Sequence, residues 1–168
     1  MSIRNWNGWE RLICPYFEAT CRCVLGYYLK ENGFAEKGLA EKEDSGLTFY
    51  RSEIFLDIGY ELESVPQTLT MTIGIDNKVY DKKLRPCYIP YWYLLPQDHW
   101  AHQAYGRGFR NEAELEALLI RFRDEIINPY AKPLWLNIDY LWKAVTSFWE
   151  WWDTHSNCSS PPPPFTPN

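Results

Sequence analysis

Across residues 54–62 the chain alternates with period two. Ile54, Leu56, Ile58, Tyr60 and Leu62 share one parity, and Phe55, Asp57, Gly59, Glu61 and Glu63 share the other. After Ser64, Val65, Pro66 and Gln67 the pattern resumes as Leu69, Met71, Ile73 and Ile75 against Thr70, Thr72 and Gly74. Successive side chains of a strand point to opposite faces, so each parity defines one face. Two such runs joined by a short proline-containing link predict an antiparallel hairpin. One of its faces is apolar, and the other carries carboxylates and threonines. A slip of one residue would bury Asp57 and Glu61, so the register is strongly specified. A lone hairpin is barely stable in water, and its apolar face needs a cover from the segments before and after it.

Those segments read as helices. Trp6, Trp9, Ile13, Phe17, Val24 and Tyr28 fall at helical spacings, widened by Tyr16 and Leu25. Pro15 cannot sit in a helix interior but is welcome at a first position. This predicts a short helix ending near Cys14 and a longer one from Pro15 to about Glu31, stopped by Asn32 and Gly33. Residues 35–46 read as an exposed charged connection and 47–51 as a short strand. A turn is expected at Asp76 and Asn77, then a polar loop over 78–86 and a strand over 87–95. Pro90 confines that strand to an edge or a bulge. A long loop over 96–110 follows. Asn111 is a good N-cap, with Glu114 three residues on, for a helix whose stripe is Leu115, Leu118, Leu119, Phe122 and Ile126. Pro129 is expected to end it near Asn128. Asn137 then caps a last helix carrying Ile138, Leu141, Trp142, Val145, Phe148, Trp149 and Trp152. Strands grouped together between helices predict an α+β fold: a mostly antiparallel sheet of three to four strands packed against N-terminal and C-terminal helices. Residues 1–153 read as a single domain. Residues 154–168 contain no Asp, Glu, Lys or Arg and five prolines, the composition of a flexible tail.

Composition narrows the function classes. No run of eighteen apolar residues suggests a membrane span, and the N-terminus lacks a basic-then-apolar signal pattern. Five cysteines without zinc or redox spacing read as reduced thiols of a cytoplasmic protein. A net charge of -5 argues against general binding to phosphate backbones. That charge is polarised: residues 31–63 hold nine acids against three bases, and residues 76–110 hold six bases against three acids. Such asymmetry steers association with a charged partner.

No set of residues spells a catalytic, cofactor or metal motif. The loop over 96–111 gathers His99, Trp100, His102, Arg107 and Arg110, and long irregular loops often carry a task. His99 and His102 alone are too few ligands for zinc. Arg107 lies between glycines ahead of a helix, but the Gly-Lys-Ser/Thr ending of a phosphate-binding loop is missing. On the strand face Asp57, Glu61 and Glu63 recur at spacing two. Solvated polar residues of a one-sided sheet explain them without chemistry. Trp149 and Trp152 belong to an aromatic end of the last helix, and exposed aromatics favour interfaces. Asp57, Glu61, Glu63, Trp149 and Trp152 are therefore the candidate partner-binding residues.

Gly33-Phe34, Thr48-Phe49-Tyr50-Arg51, the run 69–75, Pro90-x-Trp92, residues 115–121 and Ala131-x-Pro133-Leu134 together resemble small bacterial proteins of unknown function. Many of those are grouped with immunity proteins of polymorphic toxin systems. The resemblance implies an α+β protein that works by binding another protein, as an inhibitor or immunity-type factor. The alternative is a small-ligand-binding protein or enzyme centred on the 96–111 loop. A self-assembling subunit is a third reading.

Overall fold

The computed structural model describes residues 13–37, 46–61, 66–80 and 85–155, together with Pro163 and Phe165. After a turn at Pro15 and Tyr16, helix α1 runs through Phe17–Cys21, widens to π-helical geometry over Arg22–Gly26 and closes with Tyr27–Glu31. Gly33 ends it at a φ of 84°, a left-handed value that costs glycine nothing. The Phe34 amide then bonds back to the Leu29 carbonyl. The helical stop is where the sequence indicates it. The shorter helix expected ahead of Pro15 lies mostly outside the described residues.

The sheet contains β1 (Ala35–Glu36), β2 (Gly46–Arg51), β3 (Ile54–Glu61), β4 (Gln67–Tyr80), β5 (Arg85–Pro90) and β6 (Gly108–Phe109). The spatial order is β1-β2-β3-β4-β5, with β6 beside β4, and every pairing is antiparallel. In the central hairpin Ile54 faces Ile75, Leu56 faces Ile73, Ile58 faces Met71 and Tyr60 faces Leu69. All eight side chains are buried. The period-two reading therefore gives the correct register.

The helices cover this apolar face. Phe17 of α1 packs 4.6 Å from the Tyr60 ring, and the Cys14 amide donates to the Tyr60 hydroxyl at 2.8 Å. Helix α2 comprises Glu112–Phe122, a π-helical stretch Arg123–Ala131 and Lys132–Leu136. Its Trp135 lies 4.9 Å from Phe34, and its Phe122 lies 5.3 Å from Tyr91. Helix α3 (Ile138–His155) buries Leu141, Ala144, Val145, Phe148 and Trp149. Phe148 packs 5.2 Å from Tyr93. The buried apolar residues form one contiguous cluster, and each fully buried aliphatic within it contributes about 1.5–3 kcal/mol.

Four expectations need correction. The sheet has six strands among the described residues, more than three to four. β1 and β6 are two residues each and exist only by pairing with longer strands. No turn forms at Asp76 and Asn77. The Asp76 amide bonds to the Glu53 carbonyl at 2.7 Å, and β4 continues past an irregularity to pair Val79 with Pro86 and Tyr80 with Arg85. Interstrand bonds thus outweigh the local turn preference. The strand expected over 87–95 stops at Pro90 and becomes a 3₁₀ turn, Tyr91–Leu94. Finally, Pro129 does not end its helix. The π-helical stretch runs through it, with Ile126, Ile127 and Ala131 buried. Widening the turn relieves the clash that proline makes with the carbonyl four residues back.

Candidate functional site

The register fixes what the second face of the sheet displays, and α3 touches that face where Trp149 stands beside Tyr88. Tyr50 pairs with Phe55, Phe55 with Gly74, and Gly74 with Tyr88. These four form one cross-strand row. Gly74 makes the row continuous: a Cβ there would stand 2.7 Å from Phe55 Cε1 and 2.6 Å from Tyr88 Cβ. The missing side chain lets the two aromatic residues close over the β4 backbone. Tyr50 and Phe55 are half-buried, Tyr88 is 38% exposed, and the Tyr50 and Phe55 rings lie 6.4 Å apart. Lys37 reaches the edge of the row with its ammonium 5.0 Å from the Tyr50 ring.

The next row is polar. Thr48, Asp57, Thr72 and Pro90 pair in turn across four strands. The Thr48 hydroxyl donates to Asp57 Oδ1 at 2.5 Å. Gly46, Gly59 and Thr70 follow as a nearly bare row, and then Glu61 accepts from the Thr68 hydroxyl at 2.8 Å. The face is thus low in relief, with an aromatic band beside a hydrogen-bonding band. Burial pushes the Tyr50 phenol above its ordinary pKa, helped by the charges of Asp76 and Asp57. Its hydroxyl stays a donor at neutral pH.

Of the candidate partner-binding residues, Asp57 and Glu61 lie on this face. Glu63 lies outside the described residues, as do the acids at 41, 43 and 44. Trp149 does not present itself to a partner. It is 7% exposed and packs against Phe148, with Tyr88 6.3 Å away and the Arg85 guanidinium 5.3 Å from its ring. Trp152, 38% exposed, is available at the far end of α3. Sequence reasoning missed Tyr50, Tyr88 and the part played by Gly74. Phe55, Gly74 and Tyr88 fall in one row only once the β3–β4 and β4–β5 registers are known.

The 96–111 loop folds upon itself. His99 Nδ1 accepts from the Ala101 amide at 3.2 Å, and His102 Nε2 bonds the Pro96 carbonyl at 2.9 Å. Trp100 donates to the Glu125 carboxylate at 2.5 Å and is covered by the Arg121 guanidinium 3.9 Å away, which pins the loop to α2. Arg107 turns inward, donating to the Leu69 carbonyl at 3.0 Å and lying 5.7 Å from the Tyr91 ring. Arg110 contributes its backbone amide to the Glu114 carboxylate. The histidines and Arg107 are therefore separately engaged. Among the described residues no three His, Cys, Asp or Glu side chains converge as a metal ion would require, and no helix is long and apolar enough to cross a membrane.

A cavity of about 290 Å³ opens at the other end of the sheet, lined by Glu53, Ile75, Lys78, Ile138, Asp139 and Trp142. Its volume falls just below the roughly 300–1,000 Å³ of small-molecule sites. The fold and the open face define a mixed helix-and-sheet protein with a one-sided antiparallel sheet. No known protein family, curated protein or solved structure matches the chain.

Proposed function

We propose that the protein is a protein-binding module that presents the open face of its sheet to a partner, in the manner of an inhibitor or immunity-type factor. One observation carries this reading: the Tyr50–Phe55–Gly74–Tyr88 row is an ordered aromatic band in which Tyr50 and Phe55 are half-buried and Tyr88, beside Trp149 of α3, is 38% exposed. Aromatic side chains flanked by hydrogen-bonding groups are the composition that interface cores favour. Asp57 and Glu61 give the same face an acidic rim, which suits a basic partner. The imidazoles of the 96–111 loop are consumed within the loop, which favours the sheet face as the working surface. Cys14, Cys21, Cys23 and Cys87 are free thiols, which fits a reducing compartment such as the cytoplasm.

The test is affinity capture with purified wild type, a Tyr50→Ala/Phe55→Ala variant and a His99→Asn variant as bait. A partner retained in stoichiometric amount by wild type and His99→Asn, but lost by the double variant, supports the reading. Equal retention by all three sinks it. Light scattering on the wild type decides whether that partner is a second copy.

A further inference from the structure

The C-terminal segment bears no Asp, Glu, Lys or Arg after Asp153 and includes four consecutive prolines before Phe165. Phe165 itself is seated on the domain. Its backbone amide donates to the Tyr93 carbonyl at 3.3 Å, and its ring lies 6.4 Å from the Tyr93 ring at 33°. Tyr93 belongs to the short 3₁₀ turn Tyr91–Leu94, whose last carbonyls lack partners within the turn and can accept an incoming amide. Beneath it stands Phe148, 5.2 Å from Tyr93, 5.9 Å from Trp92, 6.3 Å from Trp151 and 6.0 Å from Trp152. The seat thus combines a backbone acceptor with an aromatic platform. Those are the two elements by which extended, proline-rich segments are recognised, since such segments lose little freedom on docking.

We propose that the Tyr93–Phe148 platform is a docking site for an extended, uncharged, proline-rich peptide bearing an aromatic side chain. Phe165 is its resident occupant in cis, displaced when a segment of the same chemistry arrives from another protein. The contact suits displacement because, among the described residues, it is made by one backbone bond and a half-buried ring at the margin of the core. This surface meets the Tyr88 end of the sheet face through Trp149, but its test does not depend on that reading.

The experiment uses the full chain and a fluorescent peptide copying residues 159–168, followed by anisotropy. A short tether holds its ligand at an effective concentration on the order of 1 mM. Phe165→Ala vacates the seat, and the peptide then binds it with a Kd of roughly 0.1 mM. Wild type binds about tenfold more weakly, because the tethered segment competes at that effective concentration. A peptide with Ala in place of its Phe binds neither protein. Circular dichroism confirms that Phe165→Ala keeps the fold, so a negative result is informative. Equal affinity for wild type and variant, or no binding to the variant, overturns the proposal. A wild-type dimer that Phe165→Ala dissolves would show that the seat is filled by a second copy, and would overturn the cis assignment.

Discussion

Two glycines show how differently the same substitution acts at the residue scale. Gly74 lies where a Cβ would meet the Cys87 carbonyl oxygen at 2.5 Å, a backbone atom that cannot yield without moving β5. Gly26, within α1, has only Arg22 Cβ at 3.9 Å. Gly74→Ala should therefore destabilise by about 1–3 kcal/mol, as overpacked sites do. Gly26→Ala should stabilise by about 0.5–1 kcal/mol, because alanine loses less backbone entropy in a helix. Urea midpoints of the two variants against wild type check both signs. Neighbours in β3 make a second contrast. Leu56 is fully buried between Phe49 and Ile73, whereas Phe55 stands on the open face. Leu56→Ala should cost about 2–5 kcal/mol. Phe55→Thr keeps strand propensity and should cost well under that, so denaturation of the pair tests which face is core.

At the scale of elements, caps and turns decide where segments begin. Asn111 Oδ1 accepts from the Glu114 amide at 2.9 Å, and the Glu114 carboxylate accepts in return from the Arg110 amide, one residue ahead of the cap. Asn111→Ala should cost about 1 kcal/mol, and Asn111→Asp should restore most of it. His99 caps the 3₁₀ turn Trp100–His102 through an unprotonated Nδ1. Burial holds its pKa below the ordinary value; Glu125 opposes this weakly, while His102 and Arg121 add to it. The folded state therefore takes up a proton less readily than the unfolded chain. The stability involved is fully present above about pH 6.5, the unfolded value, and is lost as the pH falls toward the depressed folded value. His99→Asn keeps a cap and removes the titration. Wild type should lose more stability than this variant between pH 7 and pH 5, and parallel losses would exclude His99 as the source. The caps at Asn111 and Asn137 and the period-two strands were legible because each is a local signal with one dominant meaning. The course of β4 past Asp76, the helical path through Pro129 and the burial of Trp149 were not. In each, a local preference or a wide aromatic stripe is decided by partners distant in sequence.

For the molecule as a whole, the decisive feature is that segments from both ends of the described chain roof one sheet face. Phe17 and Phe109 close on Tyr60 at one end, and Phe148 closes on Tyr93 at the other. Trp135 bridges them, touching Phe34 while its carbonyl accepts from Arg51 of β2. Stripping away either terminal helix would bare aliphatics of the same central hairpin, so neither half has a core of its own. A chain built this way should unfold as one cooperative unit. Far-ultraviolet circular dichroism, weighted to the helices, and tryptophan fluorescence, weighted to α3 and the Tyr91–Leu94 turn, should report one urea midpoint. Phe17→Ala and Leu141→Ala lie in opposite terminal helices, and each should lower that single midpoint for both probes, by about 2–5 kcal/mol. Two separated transitions would mean that α3 and the aromatic seat for Phe165 form an independent unit. The open face would then be held by the hairpin and α1 alone, too little apolar cover to keep the Tyr50–Tyr88 row in register.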